Sequence, residues 1–125
     1  MTTGRCLWHY NLTTWYSPSL GEQFPEEFSE INPEDASRLG VKTGDRVKVI
    51  SRRGEVITRV RVTDRVPPGL MYMTINYKDV PTNGVTNPVY DPVSWTAEYK
   101  VCAVRLEKVW AGGNSSSSFY YIKFY

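Results

Sequence analysis

Apolar and polar side chains alternate along residues 55–62 of the chain. The even-numbered positions share branched side chains that suit a buried sheet face: Val56, Thr58, Val60 and Val62. Arginines occupy positions 59 and 61 on the opposite face, where they suit contact with solvent. A repeat of two residues is typical of a half-buried β-strand, so the pattern predicts a strand over 55–62.

Three further strands are predicted at 47–50, 70–75 and 101–109, and in the last of them Cys102, Val104 and Leu106 alternate with Ala103, Arg105 and Glu107. The segment Ser51-Arg52-Arg53-Gly54 separates two of these strands and indicates a hairpin connection, in which we expect Gly54 to take a positive φ. The run Pro67-Pro68-Gly69 then predicts a turn, because proline cannot continue a strand ladder.

The N-terminal part of the chain carries weaker signals. An imperfect alternation predicts a strand from Arg5 to Tyr10. Residues 17–28 are expected to form a loop, because two prolines and a glycine interrupt any regular pattern there.

One short stretch carries the signals of a helix of about two turns. Asn32 can cap the first backbone N–H groups, and Pro33 fits the first helical position. Glu34 and Asp35 complement the positive end of the helix dipole. Gly40 can take the left-handed conformation that ends a helix.

Two segments lack regular patterns. Residues 78–95 hold three prolines with several Asn and Thr, and loops longer than about 12–15 residues are often functional. A Gly-Gly-Asn tract followed by four serines predicts a flexible tail over 111–125, which leaves residues 1–110 as the folded domain. Short strands, one helix and many turns indicate an all-β fold with small α content, a β-barrel or sandwich.

Composition narrows the class of protein. A chain of 125 residues with 41% hydrophobic and 22% charged residues fits one globular domain. No apolar run approaches the roughly 18 residues that a membrane-spanning helix needs, so we expect no membrane partner. The net charge of +2 lies far from that of a nucleic-acid binder, so we expect no nucleic-acid partner. The N-terminal residues lack the apolar core of a signal peptide, which favours a cytoplasmic location.

The two cysteines, Cys6 and Cys102, lie near opposite ends of the chain and form no short metal-ligand spacing. We therefore expect no zinc or iron-sulfur site built by this chain alone, and two thiols in a reducing compartment. Arginines cluster around Arg52-Arg53, but acids interrupt the cluster and no aromatic platform is interleaved. This favours a solvated strand face, or contact with further domains, over nucleic-acid binding.

Several motifs in order resemble one known family, the molybdopterin-dinucleotide-binding C-terminal domain of formate dehydrogenase catalytic (alpha) subunits, within the dimethyl sulfoxide reductase family of molybdenum and tungsten oxidoreductases. The match covers about residues 3–109. The motifs that carry it are Thr3-Gly4-Arg5-Cys6-Leu7-Trp8-His9-Tyr10, Ile31-Asn32-Pro33-Glu34-Asp35-Ala36 with Leu39-Gly40, Ser51-Arg52-Arg53-Gly54, and Glu98-Tyr99-Lys100.

The resemblance implies an aspartate-decarboxylase-like double-psi β-barrel of about six strands that binds bis(molybdopterin guanine dinucleotide) carrying Mo or W. It also implies that the metal ligand, the iron-sulfur cysteines and the residues that act on formate belong to the remaining domains or subunits. The chain would then be part of an oxidoreductase without being catalytic alone, and no catalytic or metal-ligating residue is assigned to it.

The cofactor presents a pyrophosphate, a guanine and a polar tricycle, so its site needs cations and hydrogen-bonding side chains. The candidates of suitable chemistry are Arg5, His9, Tyr10, Asn11, Asn83, Tyr99 and Lys100. Taken alone, Arg5 and Lys100 fit solvated charges, the tyrosines fit core aromatics and Asn83 fits a turn. The resemblance instead implies that these residues contact the cofactor.

Two alternatives from other classes remain. Double-psi barrels also serve as stand-alone binding or adaptor modules, because a fold does not determine a function. A pyruvoyl-dependent decarboxylase on the same barrel needs a self-cleaving Gly-Ser bond, and the chain contains no Gly-Ser pair.

Overall fold

The structure is a computed structural model of the chain, and it describes residues 1–7, 9, 16–23, 25–77, 79–109 and 120–122. Two of the predicted site residues, Tyr10 and Asn11, lie outside the described residues. All structural statements below refer to the described residues.

The described residues form seven strands in one mixed sheet, together with two short helices and a 3₁₀ turn at Thr82–Gly84. The strands are β1 (Thr2–Gly4), β2 (Phe28–Ile31), β3 (Arg46–Ile50), β4 (Glu55–Val62), β5 (Met71–Thr74), β6 (Val104–Lys108) and β7 (Tyr120–Ile122). The helices are α1 (Pro18–Gln23) and α2 (Pro33–Leu39). The predicted all-β class with small α content is confirmed.

The order of the strands across the sheet is β1-β5-β2-β4-β3-β6-β7. Strands β3 and β4 pair as the predicted antiparallel hairpin, with Val49 opposite Val56. The pairs β1–β5 and β2–β4 are parallel. Each parallel pair brings together strands that are far apart in sequence, and the pair with β5 places β1 at one end of the strand order.

Hydrogen bonds link β1 to the segment just before β6. The backbone nitrogen of Met1 donates to the carbonyl oxygen of Cys102 at 2.7 Å, and the amide of Cys102 donates to the carbonyl oxygen of Met1 at 3.1 Å. This reciprocal pair is the pattern of two opposed antiparallel residues. It places β1 beside the start of β6, although the two strands are not neighbours in the sheet order.

Alternation along the strands builds the core. The strand residues that point inward are apolar and buried: Val47, Val49, Val56, Val60, Met71, Met73, Val104 and Leu106. Along β4 the even-numbered positions are the more buried ones, which confirms the predicted two-residue repeat. Burying a side chain of this size contributes about 1.5–3 kcal/mol, so the inner face of the sheet is a main source of stability.

Helix α2 has the predicted ends. The side chain of Asn32 accepts a hydrogen bond from the amide of Glu34 at 2.9 Å, and Pro33 occupies the first helical position. Gly40 has a φ of 68°, and its amide bonds the last turn of the helix. The buried Asp35 also accepts a hydrogen bond from the amide of Gly69 at 2.6 Å, so the helix start is tied to the turn before β5.

Two N-terminal predictions were wrong. The first strand covers Thr2–Gly4, and Arg5 to Leu7 lie after its end, because β1 is defined by its parallel pairing with β5 and not by its own alternation. The segment expected to be a loop contains helix α1, whose first residue is Pro18. Proline at the first helical position lacks only an N–H that would have no partner there, so it starts this helix.

The expected positive φ of Gly54 was also wrong, since left-handed glycines in the described chain are Gly40, Gly44 and Gly69. Gly54 meets a different constraint. A Cβ atom at this position would lie 3.0 Å from the carbonyl oxygen of Gly84. The missing side chain therefore lets the β3–β4 hairpin approach the 3₁₀ turn.

Three residues of the segment predicted as a tail form strand β7, which pairs antiparallel with β6. The boundary at residue 110 stays a prediction. Within the described residues, the helices are all too short or too polar to span a lipid bilayer.

Candidate functional site

One edge of the sheet brings the two ends of the matched motifs together. The hydroxyl of Thr3 donates to the carbonyl oxygen of Tyr99 at 2.8 Å. The ammonium group of Lys100 donates to the carbonyl oxygen of Thr3 at 2.7 Å. These two bonds join residues 96 and 97 positions apart in sequence, and they define a surface that we call the β1 edge: Thr3, Gly4, Arg5, Tyr99 and Lys100.

The ammonium group of Lys100 is positioned without a counter-charge. No ion pair of Lys100 occurs among the described residues, whose ion pairs involve other lysines and arginines. An ammonium has three N–H donors, and the bond to Thr3 uses one. The β1 edge therefore holds a fixed positive charge that retains hydrogen-bonding capacity.

Gly4 lets an aromatic ring lie against the backbone of β1. A Cβ atom at position 4 would lie 2.6 Å from the hydroxyl oxygen of Tyr72, closer than real side chains approach. That hydroxyl donates to the carbonyl oxygen of Arg5 at 3.0 Å. Burial, followed by the nearby Glu30 carboxylate, raises the pKa of Tyr72, so the phenol stays a donor and fixes the backbone at Arg5.

His9 follows this motif segment in the chain, is buried and contacts a second tyrosine. Its Nε2 atom lies 2.7 Å from the hydroxyl of Tyr77, and the two rings meet edge to face with centroids 5.0 Å apart. Burial raises the pKa of Tyr77 to about 12. The phenol is therefore protonated at neutral pH, and its bond with the imidazole holds the ring in one orientation.

Beside Tyr77 lies a buried carboxyl group that the sequence did not single out. Glu27 is 4% exposed, and none of the described residues makes a hydrogen bond of normal geometry with either carboxyl oxygen. Burial raises the pKa of Glu27 to about 8, and the backbone amides of Tyr77 and Asn76 offset part of that rise. Near neutral pH this group is mostly protonated, which removes the cost of burying a charge.

A cavity of about 340 Å³ opens on the other side of Glu27 and Tyr77. Its walls come from the loop before β2, from β3 and β4, and from the segment after β5, and they include Arg46, Ile57 and Asp79. None of the predicted site residues that the structure describes lines it. It is therefore separate from the β1 edge, to which it is linked through the contact between Tyr77 and His9.

Asn83 lies in the 3₁₀ turn and is exposed. Its carbonyl oxygen accepts a hydrogen bond from the hydroxyl of Thr86 at 3.1 Å. The neighbouring Thr82 hydroxyl donates to the carbonyl oxygen of Thr74 at 2.8 Å, which anchors the turn on the end of β5. Within the described residues, no recorded hydrogen bond joins Asn83 to the β1 edge.

The described residues contain no group of three or more His, Cys, Asp or Glu side chains arranged to hold a metal ion. Cys6 and Cys102 are both free thiols. The Sγ atom of Cys102 lies 2.9 Å from the carbonyl oxygen of Val85 and packs in the core. The chemistry of the β1 edge is thus that of hydrogen bonding and of charge, which suits binding of a polar or anionic group.

Comparison with known families agrees with this chemistry. Residues 1–103 match the family described as "Molydopterin dinucleotide binding domain". The chain belongs to this family. As a molydopterin dinucleotide binding domain, it contains both motif segments of the β1 edge within the matched range.

Three curated relatives are alpha subunits of F420-dependent formate dehydrogenases. The chain is 48% identical over 111 residues to F420-dependent formate dehydrogenase 2 subunit alpha of Methanococcus maripaludis, and 39% identical to subunit alpha of formate dehydrogenase 1 of the same organism. It is 40% identical to F420-dependent formate dehydrogenase subunit alpha of Methanocaldococcus jannaschii. Each match covers 87% of this chain and 16% of the relative, so the chain spans about a sixth of their length.

A solved structure with a similar fold is acetylene hydratase from Pelobacter acetylenicus. The TM-score is 0.55 at 18% sequence identity, over 58% of this chain and 10% of that one. At this identity the similarity concerns the fold alone.

The domain places its predicted site residues in three environments. Arg5, Tyr99 and Lys100 belong to the β1 edge, and His9 contacts Tyr77. Asn83 lies in the 3₁₀ turn. Their contact with a cofactor stays a prediction.

Sequence reasoning missed the residues that support the site. Tyr72 lies within the predicted strand over 70–75, and Tyr77 lies just after it. No sequence pattern indicated that they would contact Arg5 and His9. A signal for the first existed in the glycine at position 4, which implies close approach by another group. Glu27 lies in an irregular segment where no periodicity predicts burial.

Proposed function

We propose that the chain binds bis(molybdopterin guanine dinucleotide) as the C-terminal domain or a split subunit of a formate dehydrogenase-like molybdenum or tungsten oxidoreductase. The observation that carries the proposal is the β1 edge, where Lys100 donates to the carbonyl oxygen of Thr3 and forms no ion pair with another residue of the described part of the chain. The relatives named formate dehydrogenase subunit alpha support the enzyme class.

The residues of the β1 edge fit such a cofactor. A pyrophosphate or ring carbonyl needs charge-assisted donors, and the ammonium of Lys100 has donors left after its bond to Thr3. The narrow space over Gly4 is already filled by Tyr72, so the backbone there is rigid before any ligand arrives. A preformed site loses less entropy on binding than one that must be ordered.

In the proposed role, the cofactor supplies the redox chemistry, and this chain supplies binding and orientation. Lys100 would neutralise charge on the ligand, and Tyr99 and Arg5 would flank it with a phenol and a guanidinium. His9, fixed by Tyr77, would present a hydrogen-bonding ring of defined orientation. Tyr10, Asn11 and Asn83 complete the predicted set of contacts.

We further propose that residues 1–110 close into a double-psi barrel, with 111–125 as a C-terminal tail. The backbone bonds between Met1 and Cys102 support closure, since they join β1 to the approach of β6. The remaining domains or subunits of the oxidoreductase would be the partners, with no role for nucleic acid or membrane. The free thiols of Cys6 and Cys102 are compatible with a cytoplasmic enzyme.

The direct test is to identify what the chain carries when it is isolated with its native partner. The complex should release a guanine nucleotide and a pterin on denaturation, detected by mass spectrometry, and metal analysis should assign Mo or W. An intact complex that lacks both molecules would contradict the proposal and favour the stand-alone adaptor module.

Replacing Lys100 by Ala tests the role of the edge. We expect cofactor retention in the loaded complex to weaken by about one to two orders of magnitude, because a charge-assisted hydrogen bond contributes roughly 1.5–3 kcal/mol. Retention is measured as the rate of nucleotide release. The folding of the domain should change little, since the ammonium makes one bond to the protein.

Lys108→Ala is the matched control for Lys100→Ala. The ammonium of Lys108 also donates to a backbone carbonyl oxygen, that of Gly40, but at the far end of β6. We expect this variant to retain the cofactor normally. If Lys100→Ala retains the cofactor as well, while lowering the melting temperature, Lys100 is structural and the edge is not the binding surface.

A further inference from the structure

The long loop between the 3₁₀ turn and β6 contains a small hairpin. The amide of Glu98 donates to the carbonyl oxygen of Val89 at 2.9 Å, and the amide of Asp91 donates to that of Thr96 at 3.0 Å. Tyr90 and Ala97 form an antiparallel bridge between these bonds. Residues 89–98, which we call the apolar hairpin, are therefore held by backbone pairing and are not an irregular loop.

The tip of the apolar hairpin is ordered by one carboxylate. Asp91 Oδ1 accepts hydrogen bonds from the amides of Val93 and Ser94, at 3.0 and 2.6 Å, and from the hydroxyl of Ser94 at 2.9 Å. These bonds, led by the Ser94 amide, lower the pKa of Asp91, so the tip keeps this acceptor ionised at neutral pH. The tip geometry is thus set before any partner binds.

The ordered tip presents apolar side chains to solvent. Val93 is 88% exposed and Trp95 is 78% exposed. Three other apolar residues are more than half exposed, two in the hairpin and one in the segment between the hairpin and β6: Val89, Tyr90 and Val101. Single exposed apolar residues are common on proteins, but a contiguous group on one small element marks an interaction surface.

Trp95 is exposed and also has an unfavourable backbone conformation. It has a φ of 55°, and it is the non-glycine residue with positive φ in the described chain. Bulky side chains rarely adopt this region, where glycine and asparagine are favoured. A strained backbone that holds an aromatic ring in solvent gives the isolated domain no benefit, which points to a contact made outside it.

The position of the hairpin relates it to the cofactor edge. Its last residue, Glu98, directly precedes Tyr99 and Lys100. The side-chain amide of Asn87 donates to Glu98 at 2.6 Å, and Arg53 donates to Asn87 at 2.5 Å, so the base of the hairpin is tied to the β3–β4 connection. A partner bound to the hairpin would therefore lie beside the β1 edge.

We propose that the apolar hairpin docks on an apolar surface of the remaining part of the oxidoreductase polypeptide, next to the bound cofactor. This proposal rests on the proposed function. The relatives extend far beyond the matched segment, which is 16% of their length, so a large protein surface is available as the occupant. The apolar hairpin contains no lysine or arginine, and its two acids accept hydrogen bonds within this chain, Asp91 in the tip and Glu98 from Asn87. This favours an apolar partner surface over a charged one.

The test compares labelling of Val93→Cys by a maleimide in the isolated chain and in the cofactor-loaded complex. Peptide mass spectrometry separates this site from Cys6 and Cys102. We expect fast labelling in the isolated chain and labelling roughly tenfold slower or more in the complex, because the docked tip opens only transiently. Lys42→Cys, an exposed position in the turn before β3, is the control and should label equally fast in both.

Trp95→Asn gives a second, independent measurement. Asparagine tolerates positive φ, so we expect the isolated chain to melt about 4 °C higher. In the complex the same substitution removes the main apolar contact, so position 93 of a Val93→Cys, Trp95→Asn variant should label at nearly the isolated rate. A lower melting temperature of the isolated chain would show that Trp95 stabilises the domain itself, against the proposal.

The outcomes separate the proposal from the function on which it rests. A complex that retains guanine nucleotide but labels at position 93 as fast as the isolated chain overturns the docking and leaves the proposed function standing. Slow labelling at position 93 in a complex that contains no guanine nucleotide supports the docking and contradicts the proposed function. Slow labelling already in the isolated chain, with a dimer seen by sedimentation, would identify a second copy as the occupant and also overturn the proposal.

Discussion

The protonation state of Glu27 depends on contacts between segments that are far apart in the sequence. Its carboxyl group is buried between the segment after β5 and the cavity wall, beside Tyr77. A carboxyl group in such a place shifts its pKa upward and stays protonated when that costs less than burying a charge. The neutral form is therefore part of the folded structure near neutral pH.

This protonation predicts a pH dependence of stability. The folded-state pKa of Glu27 is about 8, against about 4.5 for the ordinary group, so the folded chain binds this proton more tightly than the unfolded chain. Its contribution is fully present below the unfolded pKa and is lost as the pH rises from about 4.5 to about 8. Each pKa unit corresponds to about 1.4 kcal/mol, so the stability lost over this pH range is on the order of a few kcal/mol.

Glu27→Gln should flatten that profile. The amide stays neutral, so we expect the variant to lose little stability by urea unfolding at about pH 5 and to be more stable than the natural chain at about pH 9. Glu26→Gln is the control, because Glu26 is exposed and paired with Arg59. Parallel profiles for the natural chain and Glu27→Gln would show that Glu27 does not titrate as described.

Helix α2 is the element in which local sequence and structure agree best. Its capping residue, first-position proline and terminal glycine each act within one turn of the chain, so no distant contact is needed to specify them. Gly40 in particular is left-handed and has open space where a Cβ atom would be. The cost of a side chain there is therefore conformational and not steric.

Gly40→Ala should destabilise the domain by about 1–2 kcal/mol, the cost of a left-handed conformation for a residue with a Cβ atom. Thermal or urea unfolding measures it. Gly21→Ala, in helix α1, is a matched control with equally open space but no positive φ, and it should be neutral or stabilising by up to about 1 kcal/mol. Equal effects of the two substitutions would argue against the left-handed cap.

Elements were predictable where their signals were local. The β3–β4 hairpin and strand β4 follow from two-residue alternation, and α2 follows from its caps. Strand β1 was misplaced because its limits depend on pairing with β5, about 70 residues away. Gly54 was misread because its constraint is the approach of Gly84, which no local pattern encodes.

In the candidate site, too, some features could be predicted from the sequence and others depend on distant contacts. The motif residues Arg5, Tyr99 and Lys100 could be named from the sequence because the resemblance carried them. Their supporting contacts, such as the bond from Tyr72 to the Arg5 carbonyl, depend on the parallel pairing of β1 with β5. Parallel pairs join segments distant in sequence, so a single chain read along its length does not reveal them.

At the scale of the whole molecule, the sheet gathers chain segments that are distant in sequence at one edge. The chain contains one histidine and two cysteines. The histidine is held by Tyr77, and the Cys102 thiol packs in the core. The division of labour proposed for the complete enzyme places binding on this domain and the reaction on the remaining polypeptide.

That division predicts that the purified chain folds but does not oxidise formate. It has a continuous buried core, so we expect a cooperative thermal transition, followed by circular dichroism. Formate oxidation with an artificial electron acceptor should stay at the level of a buffer control, even after the cofactor is added, because the proposed function assigns the metal ligand and the residues that act on formate to the remaining polypeptide. The complex with its native partner is the positive control in the same assay. Turnover by the chain alone would mean that reactive groups lie in this domain, and the β1 edge would then have to be reconsidered as more than a binding surface.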